Sequence, residues 1–422
     1  MRGSRPPGGP VSALDSREVL RPGPGGFKQM LMNWGMAAIP FGFRLMRRFK
    51  PILSMGGTVI TSRYDDVYEV FQNDALFAVP YKEKLDVIMG GEPFFLSMPD
   101  TPVYHAGVNA MRKAVRPEDV GARLAPECEA MAARIVAEAG GRLEVVDALV
   151  RRVTFDLLGD YFGVPPPPNG DLRVWGTRLF EFQFADGGND PALRKEVDEI
   201  APALRAHIDA EIARRRAAPA KDDVLGRCLA LQAAGEPGFS DVEIRTALMG
   251  FIVGGPPQPP MVVPQALEQL LRRPDALAGA QKAARKDDDG LLAGYVFEAM
   301  RFDPLAPALP RVATADGTIA AGTTRARAVK PGRHVMASMA SAMMDERQVP
   351  DPRGFDPHRV PPEFMHFGCG HHTCFGIHIN KAILPGMLKP LLKRPNLRRA
   401  PGKAGHLTKQ GAFSKALTVI YD

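Results

Sequence analysis

The chain has 422 residues, 45% hydrophobic and 24% charged, the balance of a globular protein with a large core. Its four cysteines, Cys128, Cys228, Cys369 and Cys374, are too few to staple a scaffold of this size. They read as reduced thiols of a cytoplasmic protein, where a special one is a ligand or a catalytic group. The net charge of +7 is spread along the chain with no basic block interleaved with aromatics, so a nucleic-acid partner is not expected. No run of about eighteen apolar residues offers a membrane anchor.

In chain order, residues 1–26 are rich in Gly, Pro and Arg without an apolar stretch, and read as a disordered tail, not a signal peptide. Residues 27–422 read as one domain. Thr58 to Thr61 is a strand pattern, followed by a helix with Val67, Val70 and Phe71 on one face and Ser62 as its cap. Ala78 to Met98, with Gly90, Gly91 and Pro93, reads as a long loop. Asp100-Thr101-Pro102 then starts a helix that sets His105, Asn109 and Arg112 on one stripe.

Leu124, Cys128, Met131 and Ile135 mark a further helix. Val146, Leu149, Val150, Val153, Leu157 and Leu158 mark the next, stopped by Gly163-Val164 and the prolines Pro165 to Pro168. Another covers roughly Leu193 to Arg215, and Cys228 falls on a helix as a small core residue. Helices outnumber strands. The expected fold class is mostly α with small β-sheets (α+β).

The stretch Asp241 to Arg273 starts as a buried helix through Leu248, Phe251, Ile252 and Val253, then reads Gly254-Gly255-Pro256-Pro257-Gln258-Pro259-Pro260. Each interior proline costs a helix roughly 3 kcal/mol and strands a carbonyl, so a wide break is expected, around a cavity or a functional surface. From Gly290 to Pro304 a helix carries Glu298 and Arg301 three apart among apolar neighbours, the setting of a buried pair. Asp316 to Ile319 is a hairpin signal.

Phe367 to Gly376 reads FGCGHHTCFG, packing two cysteines, two histidines and three glycines around one tight loop ahead of a helical run. Glycine lets such a loop lie close to a flat or bulky object. A cysteine at a helix N-terminus has a lowered pKa, which makes Cys374 a soft-metal ligand. A zinc cluster from Cys369, Cys374, His371 and His372 is the competing reading of the same residues. His366, His371 and His378 are otherwise expected to be exposed.

Phe367-Gly368, Gly370, His372, Cys374 and Gly376 resemble the haem-binding signature of the cytochrome P450 family. Glu298 and Arg301 resemble its Glu-x-x-Arg pair, with Arg359 in the place of the arginine that completes a structural triad. Pro307 to Asp316, with Arg311, looks like the strand region that sets an arginine on a haem propionate, and Phe155 to Pro166 is similar to a segment of soluble bacterial members. The likeness runs from about Gly56 to the end of the chain. It implies the P450 fold and heme b (iron protoporphyrin IX), with the Cys374 thiolate as axial ligand favouring O–O cleavage. Gly370 and Gly376 would lie against the porphyrin, and His372, Arg311 and His105 or Arg112 would hold propionates. His105 and Arg112 are seven apart where the family spaces its pair by four, and Asn109 holds the expected arginine position.

The family's monooxygenases carry an acid and an alcohol in the helix over the iron. With Gly254-Gly255 aligned to the small-residue pair, Pro257 and Gln258 stand there instead, and neither is an acid. Three readings follow. The chain hydroxylates a small or medium apolar organic substrate with O2 and electrons from a ferredoxin and its reductase, or it uses peroxide or rearranges a hydroperoxide, with Gln258 orienting the peroxide, or it is a non-catalytic haem sensor. Lys381, Lys389 and Lys393 would form a basic face for an acidic iron–sulfur partner. Phe180, Phe182 and Phe184 are expected in core packing, and the chain as a monomer.

Overall fold

The computed structural model describes residues 18–23, 26–360 and 364–422, with the backbone alone given for 26–34, 36 and 37. Most of the expected disordered tail lies outside these residues. Its part at 18–23 lies against the helical body: Arg178 donates to the carbonyls of Glu18 and Val19, and Arg21 sits among Glu181, Asp190 and Glu196.

The fold is mostly α. Among the described residues the strands form four small sheets, the largest of five strands in the order 52–55, 58–61, 334–337, 309–313, 77–78. Strands Thr58–Thr61 and His334–Ala337 run parallel and the other pairs antiparallel. The pairing of Phe77 with Ala313 and Ala78 with Val312 matters for function. It brings the residues just before Phe77 beside Arg311, from a point more than two hundred residues away in sequence.

The helix Asp241–Gly254 threads the core. Ser240 and Glu243 form a reciprocal capping box at its start, and eight of its residues from Ile244 to Val253 are buried. Such all-round apolarity marks a helix enclosed on every side. It packs on the helices Leu172–Phe180 and Pro191–Arg216, and Gly176 lies so close that a methyl there would meet the Ile252 carbonyl at 3.3 Å. Below it, Ile377–Leu392 packs along Ala125–Glu138, with the buried Cys128 thiol 3.7 Å from the Ile383 carbonyl. Cys228 is likewise buried in the core.

Three local expectations change. Ser62 does not cap the helix Tyr64–Gln72; its hydroxyl donates to the Pro51 carbonyl and Arg63 holds the cap position. The loop expected over Ala78 to Met98 contains a helix, Lys82–Met89, which buries Leu85, Ile88 and Met89 and ends on left-handed Gly90. The proline break is narrow: a second helix starts at Pro259, so only four residues separate the two. Pro256, Pro257, Pro259 and Pro260 are all buried, so the rings fill the core that a wider break would have opened.

Candidate active site

The Phe367–Gly376 loop delivers Cys374 just ahead of the helix Ile377–Leu392. The Cys374 amide donates to the Phe367 carbonyl at 2.9 Å, and the Ile377 amide to the Cys374 carbonyl at 3.2 Å, so the turn is closed by its own backbone. Burial pushes the Cys374 thiol up, the reverse of the helix-terminus expectation, because desolvation outweighs the donors around it. Those donors are the Gly376 amide and the Asn380 side chain, with the Arg112 charge nearby.

Gly370, at φ +77°, meets protein: a methyl on it would lie 2.6 Å from the Phe71 carbonyl. Its bareness lets the loop dock on the end of the Tyr64–Gln72 helix. Gly376 turns toward the sulfur, where a methyl would stand 4.0 Å from Cys374 Sγ.

Around the next residue, Phe375, lies an aromatic cluster. Phe375 stacks on Phe251 of the core helix at 5.3 Å and meets Phe95 at 5.5 Å, with the Arg112 guanidinium 4.3 Å over its ring. Phe94 lies against Gly250, so close that any side chain there would collide with its ring. Phe180 and Phe182 are buried, Phe180 with Met261 and Phe413, which is core packing.

A polar edge flanks the cluster. Arg311 is 4% exposed, has its guanidinium over the Phe71 ring, and donates to the Pro310 carbonyl, with the Tyr81 hydroxyl nearby. No carboxylate of the described residues lies within ion-pair distance of it, and burial lowers its pKa. Beside it, His372 Nε2 lies 3.0 Å from Asp74 Oδ1 but makes no well-directed hydrogen bond. Burial lowers the His372 imidazole to about 4, against the pull of Asp74. Asp74 is a site residue that sequence reasoning missed. It reads as an ordinary polar residue after a helix, and only the sheet pairing brings it here.

His371 is not exposed. Its side chain is 8% accessible and its ring packs at a tilt against Tyr104 at 3.9 Å, and the Tyr104 hydroxyl donates to its carbonyl. His366 is enclosed too, between the Phe297 and Phe364 rings and bonded to the Phe297 carbonyl at 2.9 Å; burial lowers it to about 4. His378 is exposed. His105 is exposed and bonds Asp100 at 2.6 Å, so His105 and Arg112 leave their shared helix toward different neighbours. The metal-capable groups among the described residues combine Asp74 or Asp100 with His371, His372 or His105 and include neither Cys369 nor Cys374. The zinc reading therefore loses its thiolates. Cys369 packs by Arg311 and Tyr64, its thiol pushed up to about 11 by burial.

On the core helix, the space beside Gly254 is open within 4 Å, whereas a methyl on Gly255 would strike the Phe251 carbonyl. Pro257 and the neighbouring rings carry no polar side chain. The Gln258 side-chain amide donates to the Gly254 carbonyl, whose partner in a continuous helix, the Gln258 backbone amide, bonds the Gly255 carbonyl instead.

Glu298 and Arg301, both 0% exposed at the side chain, form a two-pronged pair at 2.6 and 2.8 Å. Arg301 also donates to the carbonyls of Met343, Pro352 and Gly354, and Arg359 reaches Glu298 at 3.4 Å and the Asp351 carbonyl at 2.8 Å. This network pins the segment leading to the cysteine loop. A cavity of about 720 Å³ borders the loop's outer side, with Phe297, Phe367 and the exposed Lys381 in its wall. Lys389 and Lys393 do not form the expected free basic face. Lys389 is 6% exposed and bound by Glu129, Asp287 and Asp289, and Lys393 is held by Asp287 and Glu129.

The sequence model of the cytochrome P450 family matches residues 189–414. The chain is 26% identical to the cyclomarin C epoxidase of Salinispora arenicola, over 74% of this chain and 77% of that one. It is also 26% identical to the erythromycin C-12 hydroxylase of Saccharopolyspora erythraea, over 74% and 76%, and to a steroid C26-monooxygenase of Mycolicibacterium smegmatis, over 85% and 86%. Its fold is similar to the ligand-free cytochrome P450 TbtJ1 (TM-score 0.76, 24% identity, 92% of this chain and 98% of that one). A mutant P450 EryK in complex with erythromycin B is similar too (TM-score 0.75, 23% identity, 92% and 97%).

The chain belongs to the cytochrome P450 family and is a P450 oxidoreductase. With that membership comes haem held by a cysteine thiolate. The residues fit the group: a half-buried thiol at the head of a helix, apolar aromatic rings next to it, and a buried guanidinium that lacks a carboxylate among the described residues.

Proposed function

We propose that this P450 oxidises, by hydroxylation, a small or medium apolar organic substrate, with O2 as oxidant and an iron–sulfur protein as electron donor. The observation that carries the reading is the apolar aromatic cluster of Phe94, Phe95, Phe251 and Phe375 next to Cys374, a lining suited to an apolar guest. Cys374 is the proposed axial ligand, and Arg311 and His372 the proposed holders of haem carboxylates, Arg311 as a fixed charge and His372 as a neutral hydrogen-bond donor. When bound there, haem supplies oxygen activation supported by electron donation from the thiolate. The loop backbone fixes the Cys374 turn, the aromatic rings position the substrate, and Gly254 leaves room beside the helix.

A second reading, use of peroxide, is favoured by the run 254–260, which has no acidic or hydroxyl side chain to relay protons. Gln258 then has one amide hydrogen bonded to the Gly254 carbonyl and another free to orient the oxidant. Turnover of an apolar substrate panel with NAD(P)H, ferredoxin and reductase, against turnover with hydrogen peroxide alone, separates the two. Product under reducing conditions alone supports the first, product with peroxide alone replaces it with the second, and no product under either condition overturns both.

A further inference from the structure

The net charge of the chain, expected to be spread, is concentrated near its N-terminus. Residues 19–64 hold seven Lys and Arg and not one Asp or Glu, so this stretch carries the whole formal excess of +7. More than half of it is the helix Gly26–Phe49, which rests on the body through one side. Arg47 is buried there and donates to the Ser341 carbonyl at 3.1 Å and hydroxyl at 2.9 Å, and Ile39, Phe43 and Met46 are half-buried on the same side. The opposite side carries Phe41, Leu45 and Phe49, which are 64%, 43% and 73% exposed. At i, i+4 and i+8 they form one stripe about 12 Å long within about 80° of arc. Arg44 and Arg48 are exposed along its flank, and Lys50 at its end. The carboxylates that act on Arg47 are Asp345 and Glu346, and Asp345 is bonded to the Tyr64 amide and Arg347. Among the described residues, no carboxylate lies within ion-pair distance of Arg44, Arg48 or Lys50.

We infer that the outer side of the helix Gly26–Phe49 docks reversibly on an anionic lipid bilayer, through the stripe of Phe41, Leu45 and Phe49 and the charges of Arg44, Arg48 and Lys50. The rings leave water for the acyl boundary while the guanidinium groups bond lipid phosphates at the headgroup level. The helix lies on the surface and does not cross it, since no described helix is long and apolar enough to span a bilayer. A second copy of the chain would set the same arginines against one another, which opposes pairing through this face. Duplex nucleic acid would satisfy the arginines but leave the apolar stripe against phosphate and sugar. Docking of this kind depends on neither the haem ligand nor the oxidant.

The test is flotation of the haem-loaded full chain with two kinds of vesicle, pure phosphatidylcholine and equal parts phosphatidylcholine and phosphatidylglycerol. We expect a bound-to-free ratio at least about tenfold higher on the anionic vesicles. Phe41→Ser with Phe49→Ser, and separately Arg44→Gln with Arg48→Gln, should each cut that ratio about tenfold. All four side chains are exposed, so neither change disturbs the core, and circular dichroism checks that both variants fold. Failure of the unmodified protein to float with the anionic vesicles overturns the inference whatever the variants do. Loss in only one of the two pairs overturns it as well, because docking requires both rings and charge. Unchanged flotation in both pairs places the contact elsewhere and overturns it too. Without flotation, a dimer in sedimentation velocity that the phenylalanine pair abolishes replaces the bilayer with a second copy, and retention by duplex DNA replaces it with nucleic acid.

Discussion

Replacing Arg301 by methionine removes the centre of the network that holds the chain leading to the haem loop. The guanidinium makes two bonds to Glu298 and three to the carbonyls of Met343, Pro352 and Gly354. After the change, Glu298 keeps among the described residues the Asp356 amide at 3.1 Å and Arg359 at 3.4 Å, too little for a carboxylate with no exposure. Breaking a buried pair from one side costs about 3–5 kcal/mol, mostly as the penalty of the charge left behind. The three carbonyls join residues 343 to 354 to the helix Asp289–Phe302, so their release also loosens the approach to Cys374. Urea unfolding followed by circular dichroism measures the stability loss, and haem per folded chain measures the second effect. Arg301→Met with Glu298→Gln should recover part of the loss, because the uncompensated charge is gone. A single-variant loss below about 1 kcal/mol would mean the pair behaves as a solvated surface bridge, and the reasoning would be wrong.

Gly370→Ala should destabilise by about 1–2 kcal/mol from its left-handed backbone and about 1–3 kcal/mol more from the Phe71 carbonyl, seen as a lower thermal midpoint. Gln258→Leu should cost about 1–3 kcal/mol in urea unfolding, because the Gly254 carbonyl loses its donor. Burial depresses His366 to about 4 from an ordinary 6.5, so the unfolded chain binds the extra proton between those values. Its contribution is therefore full above pH 6.5 and lost as pH falls toward 4, by up to about 3 kcal/mol. His366→Gln should remove that part of the acid dependence of the urea midpoint, and identical pH profiles for the two proteins would contradict it.

The haem loop, the Glu298–Arg301 pair, the helix starting at Pro102 and the mostly α class were legible in the chain because each is local. Motif spacing and helical periodicity encode them within a few turns. The proline run was equally visible, but its outcome was not. A helix that loses amides at four prolines looked destined to open widely, yet buried rings and the Gln258 amide close the gap, and neither contact is written in helical spacing.

The sequence by itself determined that a cysteine stands at the mouth of a helix in a glycine-rich loop, and that no acid or alcohol stands in the run across the core. Tertiary structure decided what surrounds them. Sheet pairing brought Asp74 to His372 and Arg311, and acidic side chains from two other segments closed over Lys389 and Lys393. Burial turned three of the expected surface groups, His366, His371 and Lys389, inward. The physical reason is the same in each case: charge, burial and hydrogen bonding at a point in space are set by every segment that packs there, and those segments are remote from one another along the chain.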